Sequence, residues 1–125
     1  MPKTIHAEGA PAAVGPYVHA VRVGDLLYTS GQVGLDPATG KLVPGGIEAE
    51  TRRALDNLQA ILRAAGTGLD RVVKASVFLT DMDEFAAMNG VYASFFGDTR
   101  PARTTVAVSR LPVGARVEID VVASF

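Results

Sequence analysis

The chain has 125 residues, 48% of them hydrophobic and 20% charged, which fits one ordinary globular domain able to bury a core without staples. Its net charge of −1 gives no basic field for nucleic acid or an anionic membrane, and the absence of cysteine excludes disulfides, a thiolate nucleophile and sulfur-ligated metal. His6 and His19 are the only imidazoles, too few for a histidine-rich metal site.

The opening MPKTIHAEGAPAA lacks the apolar stretch of about 7–15 residues that a secretion signal needs. No apolar run reaches the roughly 18 residues of a membrane span, so the expected location is cytoplasmic. Pro2, Pro11, Gly15 and Pro16 predict an extended, irregular arm over residues 1–19. Tyr17 is its large side chain near the end, either exposed or folded over a pocket.

Ala20 to Val23 and Leu26 to Ser30 read as two strands joined by Gly24-Asp25, where Gly at the first turn position suits a type II′ hairpin. Gly31 follows Ser30 and permits a bulge or a close approach of backbone to ligand. The Ser-Gly pair lacks the flanking glycines of a hydrolase nucleophile elbow. Residues 36–46 (DPATGKLVPGG) form a loop by composition, without the spacing of a phosphate loop.

From about Glu48 to Ala65, Leu55, Leu58, Ile61, Leu62 and Ala65 recur at helical spacing. Glu48 and Glu50 favour the first turn, Gly66 fits the position past the end, and Arg52, Asp56, Gln59 and Arg63 point to solvent. Val72 to Leu79 reads as a strand with apolar residues on both faces. A second helix is predicted from about Asp83 to Phe96, with Phe85, Met88, Tyr92, Phe95 and Phe96 on or near one stripe. Asn89 lies on that stripe too, and a half-buried amide there needs a backbone or ligand partner. Arg103 to Val108 and Arg116 to Ala123 complete the strands.

The order β-β-α-β-α-β-β predicts an α/β fold: a mixed sheet of five to six strands in a single domain over residues 1–125. Two helices cover only one face of such a sheet. Apolar residues on the other face predict that further copies of the chain pack there.

In the last strand, Val117, Ile119, Val121 and Ala123 share one face, while Arg116, Glu118, Asp120 and Val122 share the other. Arg103 and Glu118 are the charges that interrupt the two final strands. They read either as a structural ion pair on a solvated face, or as an anion-binding group and a proton-handling group. Arginine grips a carboxylate by two parallel hydrogen bonds, and a glutamate can deprotonate a water.

The segments APAAVGPYVHAV, YTSGQVGLDPATG, ALDNLQAILRAAG, VVKASVFLTDMDEFAAMNGVYASFF and RPARTTVAVSRLPVGARVEIDVVA together span nearly the whole chain. In them the sequence resembles the RidA family, also called YjgF. The resemblance implies a chorismate-mutase-like fold with two helices on one face of the sheet, assembled as a homotrimer with sites in the clefts between subunits. It implies hydrolysis of reactive 2-imino acids (2-aminoacrylate/2-iminopropanoate and 2-iminobutanoate) to 2-oxo acids and ammonia, with no metal or organic cofactor.

Carried over by position, Arg103 clamps the substrate carboxylate, and Glu118 activates water with the Thr105 carbonyl. Ser30 and Gly31 contact the imine end, Tyr17 closes the pocket and Asn89 lines it. Many relatives carry Ser-Cys where this chain has Thr104-Thr105, so a thiol role is excluded here. The alternative function is a non-catalytic trimeric module that binds small ligands or regulates other proteins. Some relatives are labelled ribonucleases, against which stands the lack of any Lys/Arg run.

Overall fold

Residues 117–124 (VEIDVVAS) organise the sheet. Val117, Ile119, Val121 and Ala123 are buried while Glu118, Asp120 and Val122 are half-buried on the other side, the period of two that a strand imposes. The computed structural model describes residues 2–125. Its elements in chain order are β1 (Lys3–Ile5), β2 (Ala20–Val23), β3 (Leu26–Thr29), α1 (Gly46–Ala65), β4 (Val72–Leu79), α2 (Phe85–Phe96), β5 (Ala102–Ala107) and β6 (Val117–Ser124). They build one six-stranded sheet in the order β1-β2-β3-β6-β4-β5.

Only β4 and β5 run parallel, joined by the crossover through α2; every other pair is antiparallel. Leu55, Leu58, Ile61 and Leu62 of α1 and Met88, Tyr92 and Phe96 of α2 join the inward residues of β4 and β6 in a single core. Both helices therefore pack on one face, as the pattern predicts. Among the described residues no helix is long and apolar enough to cross a membrane.

The local signals hold in detail. Gly24 has φ +58 and no positive φ follows at Asp25, which matches the type II′ hairpin between β2 and β3. Gly66, at φ +94, takes the left-handed position past α1; its N–H donates to Arg63 O (3.1 Å) and that of Thr67 to Leu62 O (2.9 Å).

Four features depart from the sequence reading. Lys3–Ile5 pairs with β2, although residues 1–19 read as an irregular arm; a run of three is too short to show a period. The β4–β6 register shifts between Val72 and Lys74, a bulge that turns Val72 inward with Ala75 and Val77 and leaves Val73 47% exposed. Helix α2 begins at Phe85, after a 3-10 turn at Met82–Glu84 capped by Asp81, whose carboxylate accepts from the Asp83 N–H (2.9 Å). Glu50, read with Glu48 as a first-turn charge, lies beyond the first turn of α1 and is buried; its carboxylate accepts the Arg116 N–H (2.8 Å), and the Arg116 guanidinium reaches Glu84 (3.0 Å).

The loop after β3 has little regular structure of its own and is tied to α1. The buried Asn57 amide donates to the carbonyls of Val33 (3.2 Å) and Leu35 (2.9 Å), while its Oδ1 accepts from Arg53 Nε (3.1 Å). Gly34 comes so close to α1 that a Cβ on it would meet the Glu50 backbone at 2.8 Å. Leucine at position 57 would fill similar space but leave the Val33 carbonyl buried without its donor. Asn57→Leu should therefore cost about 1–3 kcal/mol in chemical denaturation. A midpoint unchanged from wild type would show that the loop does not depend on this amide.

Candidate active site

Glu118 leaves the helix-covered core because Val117 and Ile119, on either side of it, enter that core. Gln32 forms an isolated antiparallel bridge with Ile119: Gln32 N–H donates to Ile119 O (2.8 Å) and Ile119 N–H to Gln32 O (3.0 Å). This bridge brings Gly31 against the Glu118 side chain. A Cβ on Gly31 would lie 2.5 Å from Glu118 Oε2, so the close approach requires glycine. Glu118, Gly31 and Tyr17 line a pocket of about 110 Å³ together with the arm segment around Pro11–Val14. Tyr17 is 47% exposed and reaches the pocket from the arm. The Ser30 hydroxyl donates to the Val18 carbonyl (2.6 Å), which joins the end of β3 to that arm.

Burial pushes the Glu118 carboxyl above its ordinary value, and the like charge of Asp120 adds to the effect. Asp120 is raised as well, by burial first, with Ser76 and Lys74 pulling it back.

Arg103 occupies a different surface. It pairs with Ala75, whose side chain is fully buried under the helices, so Arg103 faces α2. Its guanidinium carbon lies 4.7 Å from the Tyr92 ring centroid and 5.6 Å from that of Phe85. Arg103, Asn89, Tyr92 and Arg100 line a second pocket of about 300 Å³. The Asn89 Oδ1 is buried beside it with no hydrogen-bond partner among the described residues. Burial also pushes the Tyr92 phenol up, opposed by the Arg103 charge. Thr105, two residues on in β5, pairs with Val77 and shares the Arg103 side.

Arg103 and Glu118 are therefore not on neighbouring strands. β4 lies between β5 and β6, and Glu118 pairs with Phe78 on the face opposite the one Arg103 uses. The intrachain ion pair left open by the sequence does not form; neither residue makes a salt bridge among the described residues. The candidate residues thus fall in two groups on opposite faces of the sheet: Tyr17, Gly31 and Glu118 in one, Asn89, Arg103 and Thr105 in the other, with Ser30 behind the first. The sequence reading did not assign Tyr92 to the site. Its signal was the i, i+3 spacing from Asn89, which puts both on one face of α2.

The family described as Endoribonuclease L-PSP matches residues 7–125. The chain is 50% identical over 121 residues to the mouse 2-iminobutanoate/2-iminopropanoate deaminase, covering 97% of this chain and 90% of that one. It is 47% identical over 123 residues to a RutC family protein of Pyrococcus horikoshii, covering 98% of each. A crystal structure of a conserved Rid family protein from Yersinia pestis superposes with a TM-score of 0.97 at 44% identity, over 100% of both chains.

The Gly31–Glu118 contact generates a direct test. Gly31 has no left-handed φ to defend, so Gly31→Ala should fold and keep the bridge at Gln32. Its methyl should displace the Glu118 carboxylate, because the flexible side chain gives way before the backbone does. A crystal structure of the variant with Glu118 unmoved would contradict this reading of the pocket.

Proposed function

The chain belongs to the Endoribonuclease L-PSP family, which includes the Rid/YjgF proteins, and from that footing we propose that it hydrolyses reactive 2-imino acids to 2-oxo acids and ammonia. The substrates would be 2-iminopropanoate, formed through 2-aminoacrylate, and 2-iminobutanoate, in line with the name of the mouse relative. The observation that carries the reading is an arginine without a carboxylate partner and a glutamate with a raised pKa, held on opposite faces of one sheet.

In this proposal Arg103 grips the substrate carboxylate through two charge-assisted hydrogen bonds, its plane steadied by Tyr92 and Phe85. Glu118 and the Thr105 carbonyl hold a water. The water oxygen bonds to the imine carbon while the C=N π pair moves to nitrogen, and one water proton passes through Glu118 to that nitrogen, giving a carbinolamine; Glu118 then moves the remaining hydroxyl proton to nitrogen as the C=O forms and the C–N bond breaks, releasing ammonia and the 2-oxo acid. Ser30 and Gly31 contact the imine end, Tyr17 closes the pocket and Asn89 lines it. An imine is already electrophilic, so positioning with general-base help of about 10²–10⁴-fold is sufficient, without cofactor or metal.

Because Arg103 and Glu118 diverge within one chain, the proposal joins the Arg103 half-site of one copy to the Glu118 half-site of the next, in a cytoplasmic homotrimer. Tyr28 and Val106, 48% and 39% exposed on the Glu118 face, supply apolar surface for that assembly. The net charge of −1 favours a small acid over RNA as substrate. A non-catalytic binding module would use Arg103 but has no need of a glutamate poised as a base.

Generating 2-iminobutanoate in situ and following its loss tests this. Wild type should accelerate the loss, and Arg103→Ala should lower kcat/KM by about 10²-fold or more. Glu118→Gln should lower kcat while binding of 2-oxobutanoate persists. A folded Arg103→Ala at full rate would sink the assignment, and a monomeric mass in solution would sink the shared site.

The pH dependence follows from the raised Glu118 pKa. A base is lost as pH falls through its pKa, so the acid limb should lie above the range of an ordinary carboxylate. Asp120→Asn, by removing a like charge, should move that limb to lower pH. A limb that stays in place would remove Glu118 from the base role.

A further inference from the structure

We infer that His19 is the positioning residue that lays residues 7–17 over the Glu118 pocket and thereby limits the size of the substrate side chain; this rests on reading that pocket as part of the imine-hydrolysing site. The imidazole is only 5% exposed, and both of its nitrogens are engaged. Nδ1 accepts the Ala7 N–H at 2.9 Å, and Nε2 donates to the Pro11 carbonyl at 2.7 Å. These partners fix the neutral tautomer with its proton on Nε2. The His19 carbonyl accepts the Ser30 N–H at 2.9 Å, so the same residue ties the arm to the strand end that leads into Gly31.

The arm between these anchors has little else to hold it. Residues 6–19 form no strand or helix, and although Ala7 and Ala10 are buried, Val14 is 82% exposed. Beyond Pro11 the chain turns at Gly15, where φ is +139 and the Tyr17 N–H donates to the Gly15 carbonyl (2.9 Å). A Cβ on Gly15 would lie 3.3 Å from the Tyr17 ring, so this turn folds the aromatic back along the arm.

Pro11, Val14 and Tyr17 then line the pocket together with His19, Gly31 and Glu118. Its volume is about 110 Å³, smaller than the roughly 300 Å³ of the pocket beside Arg103. The two hydrogen bonds made by the His19 imidazole thus anchor the stretch from Ala7 to Pro11 that leads into the pocket lining.

The test compares the full-length wild type with His19→Leu and His19→Gln. It uses amide hydrogen exchange over residues 7–17 and kinetics with 2-iminobutanoate and the bulkier 2-imino-4-methylpentanoate. His19→Leu leaves the Ala7 N–H and the Pro11 carbonyl unpaired. It should speed exchange in the arm, raise KM for 2-iminobutanoate by about fivefold or more with kcat less affected, and narrow the preference over the bulkier imine. His19→Gln, whose amide offers one acceptor and one donor, should recover most of the protection and of the KM. A histidine that merely filled the core would be replaced better by leucine than by glutamine, and that ranking would overturn the inference. Unchanged exchange and preference in His19→Leu would overturn it as well. A wild type inactive on both imines would instead overturn the proposed function, with the exchange comparison still deciding whether His19 holds the arm.

Discussion

The register of β6 against its two neighbours is the constraint from which the other features descend. β6 lies between β3 and β4, and its inward side chains fill the core beneath both helices. Its outward ones include Glu118 and Asp120. A slip of one residue would carry both carboxylates into the core and four apolar side chains out of it, at a cost no local adjustment could offset. The Gln32–Ile119 bridge continues the chain of β3 along the same edge of β6, one residue out of step with the Leu26–Tyr28 pairing, and is what sets Gly31 beside Glu118. The geometry around Glu118 is thus a consequence of core packing.

The two groups obtain their chemistry by opposite means. Glu118 gains basicity from partial burial and from a like charge two residues away, with no cation to neutralise it. Arg103 keeps its charge whatever its surroundings, and what the fold supplies is orientation, from the aromatic faces of Tyr92 and Phe85. Helix α2 contributes those rings as well as Asn89, and it is also the crossover that makes β5 parallel to β4. The link that sets the topology therefore carries the platform for the guanidinium.

Much of this was legible in the sequence because it is local. The period of two in residues 117–124, the helical spacing of Leu55, Leu58 and Leu62, the turn at Gly24 and the cap at Gly66 each act within a few residues. The chemical types of Arg103 and Glu118 were also visible. The separation of these two was not, because insertion of β4 between β5 and β6 is a long-range pairing with no local signature. The bulge at Val73 defeated strict alternation for a similar reason: the extra residue is recognised only against its partner strand. The burial of Glu50 was not legible because its partner, the Arg116 N–H, comes from just before a distant strand.

The sheet order also bears on how the chain folds. β6 is synthesised after the other described strands, yet it lies between β3 and β4 and pairs with both. Until residues 117–124 have emerged, the β1–β3 ladder and the β4–α2–β5 unit have no strand to join them, and each exposes an edge. Closure of the sheet is consequently a late event of high contact order, and the nascent halves rely on helical structure and local hairpins until it occurs.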